Sequence, residues 1–137
     1  MSNKALFNIL LPILYVGDLE AEKNFYNDLG FTISYEGDDF PGFIGLAFRD
    51  TIEFGLQQKE GFDPSKINEL FVWQIGCESL KTVLDICKKK GFEIIETPTI
   101  VKKEWDLHEI RVKSPNGYEV VFEGPMNFKK ERIAKSS

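Results

Sequence analysis

The sequence predicts an α+β fold in which two βαβββ modules form curved mixed sheets around a shared cup. Gly30-Phe31 and Gly91-Phe92 each end a helical segment and begin a strand. The helical segments follow apolar strands that end in Val16-Gly17 and Ile75-Gly76. The two copies lie about 60 residues apart, and a fixed spacing of this kind indicates an architecture built by duplication. Each unit is too small to bury a core alone, so we expect the two to share one.

The composition is that of one globular domain spanning residues 1–137. Hydrophobic residues make up 42% of the chain and aromatic residues 13%, enough to fill a core. The net charge of −5 argues against nucleic acid or an anionic membrane surface as a partner. The chain has 2 cysteines, Cys77 and Cys87, which imply no disulfide framework and favour a cytoplasmic location.

The first module covers about 7–57. Its opening apolar run contains Pro12, passes straight into the repeat and is too short to span a bilayer, so we interpret Phe7–Val16 as a strand buried on both faces and not as a signal peptide. Asp18 is a suitable N-cap for a helix that ends near Leu29, and Gly30 suits its C-terminal end. Further strands are predicted at Phe31–Tyr35, Phe43–Phe48 and Thr51–Gln57.

The second module, about 69–124, follows a polar linker at 58–68 and repeats the order. Its helix begins near Ser79 and carries Leu80, Val83, Leu84 and Cys87 on one apolar face. Ser114-Pro115-Asn116-Gly117 predicts a tight turn before the last strand. The tail at 125–137 is expected to be frayed or partly helical. Strands are predicted at Leu70–Ile75, Phe92–Glu96, Leu107–Lys113 and Tyr118–Glu123, with an irregular stretch at 97–105.

Two segments carry a resemblance to a known family. The run from Pro12 to Glu20, followed by Phe25-Tyr26 and the Leu29-Gly30-Phe31 junction, resembles the first strand and helix of the vicinal oxygen chelate superfamily. The run from Trp105 to Gly117 resembles its closing hairpin. The resemblance covers about 7–124 and implies the cupped fold of glyoxalase I, extradiol dioxygenases and bleomycin resistance proteins.

The resemblance also allows the usual metal site to be tested. Enzymes of the superfamily hold a divalent metal with His and Glu side chains on the first and last strands of each module. The matching positions here are Leu11, Glu53, Val72 (Phe71 if the register slips by one) and Val121. One carboxylate and three apolar side chains cannot hold a metal. We therefore expect no metal and no cofactor. In this respect the chain resembles the bleomycin resistance-like branch of the superfamily, whose members sequester a planar cationic drug at a dimer interface.

Candidate binding residues follow from side-chain type and strand alternation. Trp105 and Phe40 offer flat surfaces for stacking, although Trp105 could instead cap the core and Phe40 could belong to a solvated acidic turn. His108 could bind a ligand or be structural. Arg111 could pair with Glu109 or Glu119, and Trp73 is expected in the core. Tyr15 and Gln74 are polar residues expected to face the cup. Three glutamates, Glu53, Glu119 and Glu123, could cluster in the cup or could simply face solvent.

Three functions are compatible with these observations. The first is a metal-free small-molecule binding protein that sequesters a hydrophobic or cationic drug, acts in antibiotic resistance and forms a homodimer. The second is a glyoxalase- or dioxygenase-like metalloenzyme with an atypical site at Glu53, His108 and Glu119 or Glu123. The third is an interaction module whose cup is filled by its own side chains. The sequence has no phosphate-binding glycine loop, nucleophile elbow or Cys-x-x-Cys pair.

Overall fold

The computed structural model describes residues 4–129. The chain forms two modules of the same element order, each with one helix and four strands. The first module consists of β1 (Ile13–Val16), α1 (Leu19–Asp28), β2 (Thr32–Glu36), β3 (Phe43–Phe48) and β4 (Ile52–Gln58). The second consists of β5 (Trp73–Gly76), α2 (Leu80–Lys90), β6 (Glu93–Lys102), β7 (Leu107–Lys113) and β8 (Glu119–Gly124).

The two sheets have the same topology. Their strand orders are β1-β4-β3-β2 and β5-β8-β7-β6, with a parallel pair at one end and antiparallel pairs elsewhere. The α+β fold of two βαβββ modules is therefore confirmed, and the repeated Gly-Phe junctions fall at equivalent places in two modules of the same topology. The junction glycines have the positive φ angles that this position requires, 102° at Gly30 and 74° at Gly91.

One core lies between the two modules and takes side chains from the helix-bearing face of each sheet. Aromatic residues join the halves: the Phe25 and Phe92 ring centroids are 4.7 Å apart, and those of Phe54 and Trp73 are 5.1 Å apart. The Trp73 indole Nε1 donates a hydrogen bond of 3.1 Å to the Tyr26 hydroxyl, which confirms the core position expected for Trp73. Burying each such ring contributes about 2 kcal/mol, so the contact between modules is a main source of stability.

The prediction of a strand over Phe7–Val16, buried on both faces, is wrong. The strand begins at Ile13, and among residues 4–129 β1 pairs only with β4, so no strand adjoins its other edge, where the Tyr118 hydroxyl donates to the Tyr15 carbonyl. Pro12 has no N–H to donate to a neighbouring strand. Its carbonyl oxygen accepts a hydrogen bond of 2.8 Å from Gly55 N, just before β1 begins. The residues before it form an arm, 5–12, in which Leu6, Phe7 and Leu10 are 88%, 87% and 86% exposed.

Three other boundaries differ from prediction. The linker contains a 3-10 helical segment, Pro64–Glu69, capped by the Asp63 side chain. The first strand of module two begins at Trp73 and not at Leu70. Residues predicted as irregular continue β6 as far as Lys102, with register shifts along it. No helix among residues 4–129 is long and apolar enough to cross a membrane. Most of the predicted tail, 130–137, lies outside the described residues.

A polar clasp joins the last turn of module two to the start of α1. The Asn116 side chain accepts a hydrogen bond from Asp18 N and donates one to Asp18 O, both at 2.7 Å. The Asn116 backbone N and Nδ2 also donate to Glu22 Oε1, at 3.1 and 2.9 Å. Glu22 is fully buried, and its Oε2 has no hydrogen-bond partner in the part of the chain that the structure describes. We call Asp18, Glu22 and Asn116 the clasp.

The burial of Glu22 makes the stability of the fold depend on pH. Desolvation raises the pKa of Glu22, against the opposing effects of the Asn116 hydrogen bonds and of the nearby Ser114 hydroxyl, and the nearby Asp18 carboxylate adds to the rise. The same carboxyl faces the buried Tyr26 and Tyr118 hydroxyls, whose pKa values are also raised, mainly by burial. The folded protein therefore keeps a proton on Glu22 at pH values where the unfolded chain has lost it. The contribution of Glu22 to the free energy of unfolding is therefore fully present at low pH, and it is lost as the pH rises through the raised pKa.

We expect Glu22→Gln to remove this loss. The amide keeps a neutral oxygen to accept from Asn116 and cannot ionise, so the free energy of unfolding of E22Q should rise relative to wild type as pH increases from about 4 to about 8. Urea unfolding at each pH measures this difference. Glu60→Gln, at an exposed position, is the control and should follow wild type throughout. A difference between E22Q and wild type that does not change with pH would contradict the assignment.

Candidate functional site

Each sheet has one face in the core and one face exposed, because side chains alternate along every strand. On β1, Leu14 and Val16 are buried, whereas Ile13 and Tyr15 are 50% and 47% exposed. The exposed pair lies level with Gly55 and Gln57 of β4. On β8 the buried residues Val120 and Phe122 alternate with the half-buried Glu119 and Glu123. These two exposed faces, one per module, carry most of the predicted binding residues.

An aromatic cluster occupies the exposed face of module one. The rings of Tyr35, Phe40 and Phe43 are in mutual contact, with centroids 5.7 Å (Tyr35–Phe40), 6.0 Å (Tyr35–Phe43) and 6.5 Å (Phe40–Phe43) apart. Gly55 makes room for this cluster, because a Cβ there would lie 2.4 Å from the Phe43 ring. The Tyr35 hydroxyl is buried and has no hydrogen-bond partner among the described residues. We call this surface, with Tyr15 and Glu53, the aromatic face.

The exposed face of module two is acidic. The register of β6, β7 and β8 puts five glutamates on the same side as three basic residues, Lys102, Arg111 and Lys113. Arg111 lies between two of the carboxylates, 3.6 Å from Glu119 and 3.9 Å from Glu96, which confirms the expected pairing with Glu119. Gln74 lies on the same face, opposite Val121. We call this surface the acidic face, and its glutamates are Glu93, Glu96, Glu109, Glu119 and Glu123.

Other predicted residues lie at the margins of these faces. The Tyr15 ring is held by Phe62, with centroids 5.8 Å apart, and by the Lys59 ammonium 5.2 Å from its centroid. Trp105 is 68% exposed, and the Lys102 ammonium lies 4.3 Å from its ring centroid, so it is a surface residue and does not cap the core. Phe40 is 62% exposed as a member of the aromatic cluster.

His108 lies on the other side of its sheet from the acidic face. It is level with Gly124, and it alternates with Glu109 so that it shares a side with the buried Ile110 and Val112. Its Nδ1 is 3.2 Å from the Asp106 carbonyl oxygen. The register therefore does not support the prediction that His108 adjoins Glu119 and Glu123 in the cup, because alternation along β7 puts His108 on the face opposite to Glu109 and Arg111.

The three predicted glutamates do not cluster within one chain. Glu119 and Glu123 share the acidic face, whereas Glu53 belongs to the aromatic face of the other sheet. Among residues 4–129, no group of three or more His, Cys, Asp or Glu side chains is placed to hold a metal ion. Leu11 and Val72, at two expected ligand positions, precede their strands, and Val121 is buried. These residues do not fit the metal site of the superfamily's enzymes.

Sequence reasoning missed two of the site residues. Tyr35 and Phe43 were predicted as ordinary strand residues, yet they form most of the aromatic cluster. Gly45 and Gly55, directly opposite each other in β3 and β4, were the available signal, because paired glycines in a sheet leave room for a large neighbouring ring. The cavities at the contact between the modules are lined by other residues and include none of the predicted binding residues.

Comparison with known proteins agrees with this fold. Residues 7–122 match the model of the Glyoxalase/Bleomycin resistance protein/Dioxygenase superfamily. A bleomycin resistance determinant encoded on the transposon Tn5 is 20% identical with a TM-score of 0.67, and covers 87% of this chain and 98% of its own. A bleomycin-binding protein in complex with bleomycin is 21% identical, with a TM-score of 0.65 and coverage of 86% and 98%.

An enzyme-like neighbour has a similar structural score. A glyoxalase/dioxygenase from Nostoc punctiforme is 12% identical with a TM-score of 0.65, and covers 88% of this chain and 99% of its own. At sequence identities this low, the similarity to these structures shows a shared fold and no more. A search of curated protein sequences found no match.

Proposed function

Since this chain belongs to the Glyoxalase/Bleomycin resistance protein/Dioxygenase superfamily, we propose that it is a binding protein for a planar, cationic small molecule. The observation that carries this proposal is the contrast between its two exposed faces. One offers a cluster of rings with a hydroxyl that has no partner among residues 4–129, and the other offers five glutamates against three basic residues. Rings attract planar groups and cations, and carboxylates complement positive charge.

A homodimer would bring the two kinds of face together. Within one chain both faces lie away from the common core, and Glu53 belongs to a different sheet from Glu119 and Glu123. The exposed arm, 5–12, and the edge of β1 that no described strand adjoins are surfaces that a second copy can cover. We therefore propose that the aromatic face of one chain and the acidic face of its partner form the two walls of a groove.

Sequestration of a drug is the concrete form of this function. Two solved neighbours are described as a bleomycin resistance determinant and a bleomycin-binding protein, which makes bleomycin the first ligand to try. The proposal places the protein in the cytoplasm as an antibiotic-resistance protein that needs no metal or cofactor. Cys77 and Cys87 are unpaired thiols, as a reducing compartment would keep them.

Calorimetry with bleomycin tests the proposal. We expect binding at micromolar concentration or better, with no turnover, and an affinity that falls with added salt because carboxylates contribute. Replacing both Glu119 and Glu123 by Gln should weaken binding about tenfold, the effect of losing about 1.4 kcal/mol. Phe43→Ala should weaken it by a similar factor through the loss of ring contact.

The controls separate binding from folding and from metal chemistry. Glu69→Gln, an exposed glutamate in the 3-10 segment outside both faces, should bind as wild type does. Sedimentation of the same samples should show a dimer with two sites, and a monomer that binds with full affinity would exclude the shared groove. Tight binding of a divalent metal, with none of bleomycin or other aromatic cations, would favour the metalloenzyme instead.

A further inference from the structure

The contact between the two modules has two ends that duplication makes equivalent. At one end the Ser114–Gly117 turn meets the start of α1 and is fixed there by the clasp. At the other end the equivalent turn, Arg49-Asp50-Thr51, lies near the start of α2. No hydrogen bond among residues 4–129 joins this turn to α2, whose Ser79 hydroxyl and first amides bond instead to the carbonyls of Pro125 and Met126.

An apolar cleft remains where the second clasp would be. Its volume is about 400 Å³, within the range of small-molecule sites. Buried core residues such as Phe31 and Phe122 form its floor. At the clasp end a similar volume is lined as much by polar as by apolar surface, mainly from the turn itself. The apolar walls of the cleft come from the ends of β3 and β4, from α2 and from the C-terminal segment, and include Phe48, Ile52, Val83, Ile86 and Phe128.

The side chains that line the cleft carry no net charge. Arg49 and Glu78 are its charged lining residues, and neither forms an ion pair within the described part of the chain. The Arg49 guanidinium lies 5.9 Å from the Phe48 ring centroid. Burial raises the pKa of Cys77 to about 11, so its thiol adds no charge near neutral pH. A charged ligand on this apolar floor would lose hydration without a net opposite charge to compensate it.

We propose that this cleft is a second small-molecule site, separate from the aromatic and acidic faces, which binds an uncharged, largely apolar ring compound. The rings of Phe31, Phe48 and Phe128 supply aromatic contact, and the Thr82 hydroxyl oxygen, 2.9 Å from Ser79 Oγ, supplies a hydrogen-bond acceptor at one wall. The chain's own C-terminal residues fit it less well, because 130–137 are mostly charged or hydroxylated, with Ile133 and Ala134 as the apolar ones.

Indole is a suitable probe, since it is a neutral ring of the right size. In the full-length protein labelled for NMR, indole should shift the amide signals of Gly76, Val83 and Ile86, and should leave those of Gly45 and Glu119 unchanged. Val83→Trp should fill the cleft and weaken indole binding at least tenfold. Val72→Trp, an equal substitution at an exposed position outside the cleft, should bind indole as wild type does.

Each other outcome overturns the proposal. Shifts that are absent up to the solubility of indole, or confined to the aromatic face, would exclude the site. If the Ile133→Asp variant bound indole more tightly than wild type, the cleft would be the binding place of the chain's own tail. If the amide signals of the cleft moved with protein concentration alone, the cleft would be a contact with a second copy. If the Val83→Trp variant does not fold, the map of shifts in the wild-type protein decides the question.

Discussion

Replacing Asn116 by alanine should lower the free energy of unfolding by about 3 kcal/mol. The change deletes three hydrogen bonds of the clasp, two with the Asp18 backbone at 2.7 Å and one with Glu22 Oε1 at 2.9 Å. Each contributes about 1 kcal/mol, and water cannot easily replace the bond to a fully buried carboxyl. Urea unfolding followed by tryptophan fluorescence measures the loss, since Trp73 lies in the core between the modules.

Two further variants make the Asn116 result specific. Asn24→Ala, at an exposed position on α1, should change stability by less than about 0.5 kcal/mol. Asn116→Asp should be less stable than Asn116→Ala at neutral pH, because it removes the donor and puts a second carboxyl against Glu22. A loss below about 1 kcal/mol in Asn116→Ala would mean that the clasp is not a main link between the modules.

Gly124→Ala should cost at least about 4 kcal/mol or prevent folding altogether. A Cβ at this position would lie 2.1 Å from the Cys77 carbonyl oxygen and 3.0 Å from the Cys77 sulfur. The backbone cannot retreat without breaking the hydrogen bond from Cys77 N to Glu123 O, which measures 2.9 Å. The clash is with backbone, so a rotamer change cannot relieve it. Circular dichroism and urea unfolding of the purified variant measure the effect.

Gly76 is the matched control for Gly124. It lies one residue before Cys77, and the nearest atom to a Cβ there would be the Glu123 carbonyl oxygen at 4.0 Å. Gly76→Ala should therefore stay within about 1 kcal/mol of wild type. Equal stability of the Gly124→Ala variant and wild type would show that β5 and β8 are able to separate locally at little cost.

The fold could be predicted in detail wherever a local rule determines the chain. A glycine with positive φ ends α2 at Gly91, and Asp18 and Ser79 cap the two helices with their side chains, as their residue types predict. The turn at Ser114 closes with the expected bond from Gly117 N to Ser114 O. The arm could not be predicted, because an apolar run such as 5–12 has the same sequence pattern whether it lies in a sheet or on a surface.

The candidate site was less accessible to sequence reasoning, because it depends on register. Arg111 and Glu119 could be assigned to one face, since β7 and β8 are joined by a recognisable turn. The side on which His108 lies follows from its alternation with Glu109 and Arg111 in β7, so the predicted strand already placed it on the face opposite Arg111. The clasp was missed altogether, because a buried glutamate in α1 has the same local pattern as an exposed one.

The alternation of core and exposed residues along each strand has a consequence for how such a protein can change over time. In β8, Val120 and Phe122 point into the core, while Glu119 and Glu123 on the opposite face are partly exposed to solvent. Substitutions at the outward positions remove little packing, so they are nearly neutral for folding and free to drift. Alternate residues of the same strands therefore determine the stability of the fold and the preference for a ligand. Selection can change the ligand preference with little effect on stability.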